Sequence, residues 1–269
     1  MKIEVRDFNI AQIAESGECF RWRKVGESDY VGVICGKICR VRQRENMVEF
    51  EGVLEGEFRK YFDLERDYSA IQHYYKEDPI LAEAMRCGSG IRILNQEKFE
   101  TLISFIISAN NNIPRIKNSV EALAKKFGKQ IEGDFFAFPT PEELAKASLE
   151  DLQMCGLGYR DKYVFQTCRE IVARKSLEEI AKLPVEECRK ELLKFAGVGP
   201  KVADCIMLFS MQKYEAFPVD VWIKRIIETL YLKEEKSLKE ITGYAKEKFG
   251  EYAGIAQQYL FFYARENKI

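Results

Sequence analysis

The stretch from Leu192 to Arg225, LLKFAGVGPKVADCIMLFSMQKYEAFPVDVWIKR, limits what this chain can fold into more sharply than any other. Leu192, Leu193, Phe195 and Ala196 follow a helical pattern that stops at Gly197-Val198-Gly199, where two glycines allow backbone angles closed to other residues. Pro200 suits the first position of a new helix, having no amide hydrogen to leave unpaired, and Val202, Ala203, Ile206, Met207 and Phe209 give that helix an apolar face. The pattern is a helix, a glycine hairpin and a helix. Free amide hydrogens at such a hairpin, aided by the helix N-terminus, can hold one phosphate of a nucleic-acid backbone without reading any base. In the first turn of the second helix, the dipole and an apolar wall favour the uncharged, nucleophilic amine of Lys201. The extended Phe217-Pro218-Val219-Asp220-Val221 can bring a carboxylate back towards that amine. Taken singly, Lys201 reads as an exposed helix-start lysine and Asp220 as a helix cap; with the hairpin they read as a small catalytic set.

A chain of 269 residues, 46% of them hydrophobic, can bury a large core, which argues against disorder and for two closely packed domains. Its 42 basic and 43 acidic side chains nearly cancel, so any DNA-binding field must be local. The eight cysteines are scattered and the N-terminus, MKIEVRDF, carries no apolar signal segment, so reduced thiols in an intracellular, monomeric protein away from membranes are expected. Cys35 and Cys39 have no second close pair and His73 is the only histidine, so no metal or cofactor is expected.

Residues 1 to about 55 alternate in the strand manner, as in Phe20-Arg21-Trp22-Arg23 and Tyr30-Val31-Gly32-Val33-Ile34, and predict an antiparallel sheet with turns near Gly26 and Glu45. From about Glu57 the pattern is helical, with Phe62, Tyr68 and Tyr74 assigned to packing, up to a break at Gly88-Ser89-Gly90. A boundary there gives residues 1–90, a sheet with helices, and residues 91–269, mostly helical. FETLISFIIS must be a buried helix; it ends in Asn110-Asn111-Asn112, and Pro114 restarts a helix. Cys155-Gly156-Leu157-Gly158 parallels Ala196-Gly197-Val198-Gly199, and the aromatic segment Ala256–Tyr263 reads as a core helix.

The hairpin, Lys201 and PVDV resemble the helix-hairpin-helix DNA glycosylases, and within them the 8-oxoguanine enzymes. The resemblance implies an α+β fold, in which an N-terminal antiparallel sheet domain of TBP-like type packs on a mostly helical glycosylase domain. Some relatives carry a four-cysteine iron-sulfur loop after that domain, whereas this chain ends in FYARENKI. Ser16-Gly17-Glu18-Cys19-Phe20-Arg21-Trp22 resembles the segment at the mouth of the base pocket, where the Gly17 carbonyl would accept the N7 hydrogen that 8-oxoguanine has and guanine lacks. Glu18 stands where the family commonly has glutamine. By the same resemblance Gln257 would bind the edge of the extruded base, between Phe261 on one face and Cys205 on the other. Asn110 would fill the gap left by the base, and Arg115 and Arg160 would reach the opposite cytosine while Tyr159 wedges the stack. Gly197 and Gly199 would hold the backbone. Trp222 stands two residues after Asp220, where animal members carry histidine.

What this implies is a bifunctional enzyme on double-stranded DNA, in the cytoplasm of a nucleoid-bearing cell or in a nucleus. It would excise 8-oxoguanine, preferably opposite cytosine, and nick the abasic site through a lysine Schiff base. A glycosylase for alkylated or mismatched bases would keep the hairpin and Asp220 without needing Lys201, Gln257 or Gly17. A DNA-binding module would keep only the hairpins.

Overall fold

The structure, a computed structural model, describes residues 1–173 and 176–267. Five strands, β1 (Lys2–Glu4), β2 (Arg23–Lys24), β3 (Asp29–Ile34), β4 (Lys37–Arg44) and β5 (Met47–Glu51), form an antiparallel sheet in the order β1-β5-β4-β3-β2. In β4 the alternation is clean: Cys39 and Val41 face inward while Arg40 and Arg42 face solvent. Val41 pairs with Phe50, and both are buried in one apolar core with Val48, whose partner Gln43 marks the polar edge. Helices α1 (Ile10–Glu15) and α2 (Glu55–Tyr61) supply cover for that core, with Phe58 stacked on Phe50 at 4.0 Å. Trp22 lies flat on Gly32, where a Cβ would stand 2.6 Å from its ring.

The strand expected over Phe20–Arg23 is mostly loop, and only Arg23 joins the sheet. Arg21 does not point outward as the alternation predicts. It is buried, and its guanidinium meets Glu100 at 3.4 Å, Glu121 at 3.2 Å and the Phe136 carbonyl. Partners distant in the sequence override the local period.

The remainder is helical: α3 (Tyr68–Tyr74), α4 (Pro79–Cys87), α5 (Lys98–Ser108), α6 (Ile113–Phe127), then a small hairpin of β6 (Gln130–Glu132) and β7 (Phe135–Phe136). There follow α7 (Pro141–Ala145), α8 (Leu149–Gln153), α9 (Asp161–Ala173), α10 (Leu177–Lys182), α11 (Val185–Leu192), α12 (Pro200–Met211), α13 (Val221–Ile226), α14 (Leu238–Phe249) and α15 (Ala253–Asn267). As the sequence predicts, α5 is buried on every side from Thr101 to Ile107, and Phe105 stacks on Phe209 of α12 at 5.5 Å. Helices α3 and α4 pack into this helical core. Segment 91–94 joins the two cores, sending Leu94 into the sheet side and Ile91 and Ile93 into the helical side.

Phe62 and Tyr68 are buried as expected, but Tyr74 is 58% exposed, and the next residue takes its place. Tyr75 is buried with its hydroxyl donating to the Phe249 carbonyl, while Tyr74 lies edge-on to Tyr75 and Tyr252.

Candidate active site

Helix α11 ends at Leu192, a few residues earlier than the apolar pattern predicts, and the chain turns through Phe195 and Val198, both buried. Only Gly197 uses the left-handed backbone, at φ +79°, where an added Cβ would also stand 2.7 Å from Tyr163 Cβ. Gly199 differs from the sequence expectation: it is an extended N-cap at φ −91°, and a Cβ there would meet nothing within 4 Å. Its side is open space beside the start of α12. The other hairpin has Gly156 and Gly158 at φ +72° and +60°, and α9, which follows it, ties the two together through Thr167 Oγ1 donating to the Ala196 carbonyl at 2.8 Å.

From the first turn of α12, Lys201 reaches over the Phe105 ring, its Nζ 5.2 Å from the centroid. One turn on, Cys205 is buried; burial pushes its thiol up to about 11, while Lys201 pulls the other way by charge and hydrogen bond, and the charges of Asp204 and Asp220 add to the rise. Lys201, Cys205 and Asp220 therefore share one electrostatic neighbourhood. Asp220 is indeed the N-cap of α13, its Oδ1 accepting the Ile223 N–H at 2.8 Å. The cap fixes the carboxylate in place. An arginine pair holds the helices of the hairpin together: Arg189 of α11 meets Asp204 of α12 at 2.7 Å, and burial raises Asp204 to about 6 against that pull.

Helix α15, which carries Gln257 and Phe261, packs on α13, the helix that Asp220 caps. It comes close to α12 because Gly254 leaves no Cβ to strike Leu208 Cδ1 and the Ala216 carbonyl, each 2.5 Å from where it would be. Gln257 is 5% exposed, and its Oε1 is buried with no hydrogen-bond partner. An unpaired buried acceptor costs on the order of 1–3 kcal/mol, so it is a natural place for a ligand donor. Gly17, at φ +89°, faces Phe261: a Cβ on it would lie 3.6 Å from Phe261 Cε1 and 3.7 Å from Ile113 Cδ1.

The asparagine turn is exposed at Asn110, which sits at φ +49°, and at Arg115, while Asn112 caps α6 by accepting the Arg115 N–H at 3.0 Å. Tyr159 is exposed, with its hydroxyl 3.3 Å from the Ala109 carbonyl. Arg160 is only 4% exposed. Its guanidinium donates to the carbonyls of Ala109 at 2.7 Å (Nε), Asn110 at 2.7 Å (Nη2) and Leu157 at 3.2 Å (Nη1), and stacks 4.4 Å over the Tyr159 ring. In this structure it straps the asparagine turn to the Gly156–Gly158 hairpin.

Two family descriptions divide the chain: the 8-oxoguanine DNA glycosylase N-terminal domain matches residues 1–102, and the HhH-GPD superfamily of base excision DNA repair proteins matches residues 103–251. A probable N-glycosylase/DNA lyase of Methanothermobacter thermautotrophicus is 33% identical, the match covering 99% of this chain and 96% of the relative. This chain is a member of the 8-oxoguanine DNA glycosylases of the HhH-GPD superfamily. An Arabidopsis thaliana N-glycosylase/DNA lyase, OGG1, is 32% identical over 97% of the chain and 78% of its own length. The solved 8-oxoguanine glycosylase/lyase of Clostridium acetobutylicum, in complex with double-stranded DNA containing cytosine opposite 8-oxoG, superposes with a TM-score of 0.95 at 44% identity, covering 100% of this chain and 99% of that one.

For a member of this family, the residues that sequence reasoning left aside are as telling as those it singled out. Phe105, taken only as core, forms the aromatic floor under Lys201. Arg21, taken as a strand residue, anchors the segment that carries Gly17 to α5 and α6. Trp222 is 47% exposed, with the Arg225 guanidinium 5.7 Å from its ring centroid. The only sequence signal for Arg21 was the buried-looking company of Phe20 and Trp22 on either side.

Proposed function

We propose that this protein excises 8-oxoguanine from double-stranded DNA and then nicks the abasic strand. The observation that carries this reading is the grouping of the Lys201 amine, the Cys205 thiol and the Asp220 carboxylate, with the helix that Asp220 caps packed on the one that holds the buried, partnerless Gln257 Oε1. The extruded base lies between Phe261 and Cys205, its edge on Gln257 and its N7 hydrogen on the Gly17 carbonyl. That one hydrogen bond separates 8-oxoguanine from guanine, which would present an acceptor to an acceptor.

Lys201 Nζ forms a bond to the anomeric carbon as the glycosidic bond breaks and its electron pair leaves with the base, which takes up a proton. Asp220 stabilises the positive charge that develops on the sugar. As the amine loses a proton, the bond from the anomeric carbon to the ring oxygen breaks and that oxygen takes up a proton, which gives the ring-opened imine; loss of a proton from the neighbouring sugar carbon then expels the 3′ phosphate, and water adding to the imine releases Lys201. Every step is assigned to the amine and the carboxylate, without a metal or cofactor. Amides at Gly197 and Gly199 hold the backbone, Asn110 and Arg115 face the orphaned cytosine with Arg160 behind them, and Tyr159 wedges the stack.

The working form is a monomer divided near residue 90, acting inside the cell on chromosomal DNA, in a nucleoid or a nucleus. Single-turnover cleavage of duplexes with 8-oxoguanine opposite each of the four bases tests the reading: strand nicking is expected, fastest opposite cytosine. Release of alkylated bases with none of 8-oxoguanine would overturn it.

A further inference from the structure

Glu18, beside Gly17, is 0% exposed. Its Oε2 accepts the Leu94 N–H at 3.2 Å, and its backbone carbonyl accepts Gln96 Nε2 at 2.7 Å, so the residue is bolted to the segment that joins the two cores. Its Oε1 lies 3.3 Å from Ser16 Oγ. The serine hydroxyl has a single hydrogen and two acceptors in reach, the Ile13 carbonyl at 2.8 Å and Glu18 Oε1 at 3.3 Å, and the carbonyl is the nearer. With that hydrogen on the nearer carbonyl, the contact between Ser16 Oγ and Glu18 Oε1 is made by a hydrogen of the carboxyl group. With the serine hydrogen on Ile13, an ionised carboxylate would set two lone pairs against each other in a fully buried place.

We propose that Glu18 works as an uncharged carboxylic acid, an analogue of an amide, that positions the Gly17 carbonyl and so sets the discrimination between 8-oxoguanine and guanine. The inference rests on the reading of Gly17 given above. One oxygen of the acid accepts from Leu94 and the other donates to Ser16, the pattern an amide side chain would make in the same place. Both partners, with Gln96, clamp the loop on either side of Gly17, whose φ of +89° is the conformation that turns the chain towards Phe261.

The surroundings favour the proton. Burial raises Glu18 well above the usual carboxylate range; the Leu94 N–H lowers it, as does the Ser16 hydroxyl when its hydrogen turns from Ile13 to Glu18. On its own segment the neighbouring titratable group is Cys19, also pushed well up, chiefly by burial; Lys117 of α6 and Glu100 of α5 act on that thiol with opposite signs. From segment 91–96 only the Leu94 N–H and the neutral Gln96 amide bond to Glu18.

Two measurements test this on the full chain. Infrared difference spectra of wild type against Glu18→Gln should show a protonated carboxyl C=O band at neutral pH in the wild type; its absence would overturn the proposal. Competition binding of 8-oxoguanine:cytosine against guanine:cytosine duplexes, with Lys201→Gln in both proteins to prevent turnover, should then be followed from about pH 6 to about pH 10. With glutamate at position 18 the preference should fall about tenfold or more as the acid ionises. With Glu18→Gln it should match the low-pH value throughout, since titration of the base is common to both. A parallel pH course in both, or a lower preference for Glu18→Gln at neutral pH, would overturn the role of Glu18 while leaving the functional reading intact. No preference at any pH in either protein would overturn the functional reading itself, and the role of Glu18 with it.

Discussion

A methyl group on Gly17 would touch the ring of Phe261 at 3.6 Å, although one residue lies between α1 and β2 and the other in the last helix. That distance is ordinary van der Waals contact, so the space alone tolerates alanine; the backbone, at φ +89°, does not. Gly17→Ala should cost ~1–2 kcal/mol in stability from backbone strain. It should also narrow the slot beside Phe261, so that preference for 8-oxoguanine over guanine duplexes falls about tenfold. Denaturant midpoints and competition binding check the two effects separately.

Asp220 serves the fold and the proposed chemistry with different atoms of one group. Asn caps helices about as well as Asp, so Asp220→Asn should leave stability and duplex binding close to wild type. The charge facing the sugar is lost, and single-turnover base release should drop by ~100-fold or more. Release at the wild-type rate would reduce Asp220 to its cap.

Arg160 holds three carbonyls with one guanidinium, a fork that lysine cannot reproduce. Arg160→Ala takes its donors from all three, leaving Ala109 only the Tyr159 hydroxyl, and should cost ~2–3 kcal/mol. The Asn110 turn should loosen with it, narrowing the gap in excision rate between opposite cytosine and opposite adenine. A lowered melting temperature with an unchanged ratio would confine Arg160 to the scaffold.

Much of this site is legible in the sequence because its signals are local. The glycine hairpin, Pro200, the Asn112 cap and the all-round apolar character of α5 each announce themselves within a dozen or so residues. Helix α1 escaped because six residues are too few to show a period, and Tyr74 was given the place of Tyr75 because either fits a helical pattern to within one position. Arg21 and Glu18 were opaque for a deeper reason. The partners that bury them, Glu100 and Glu121 for the first and Leu94 for the second, come from other parts of the chain.

The Arg21 cluster carries its own pH signature. Burial raises Glu100 to about 7 despite the attraction of Arg21, so between its usual value of 4.5 and about 7 the folded protein keeps a proton that the unfolded chain releases. Stability present below about pH 4.5 is therefore lost as the pH rises to about 7, by on the order of 3 kcal/mol, and no further above it. In urea denaturation at several pH values, Glu100→Gln should gain on wild type over that window. A constant difference would place the proton elsewhere.

Lys201 bears the central claim. An amine that attacks the anomeric carbon passes through an imine, and borohydride reduces an imine to a permanent link between protein and DNA. Wild-type protein with duplex containing 8-oxoguanine should become trapped, with or without chelator. Lys201→Gln should still bind the lesion while base release and trapping both vanish. Base release without trapping in the wild type would mean that water is the nucleophile, and trapping that survives in Lys201→Gln would mean that another amine does the chemistry; either result contradicts the account.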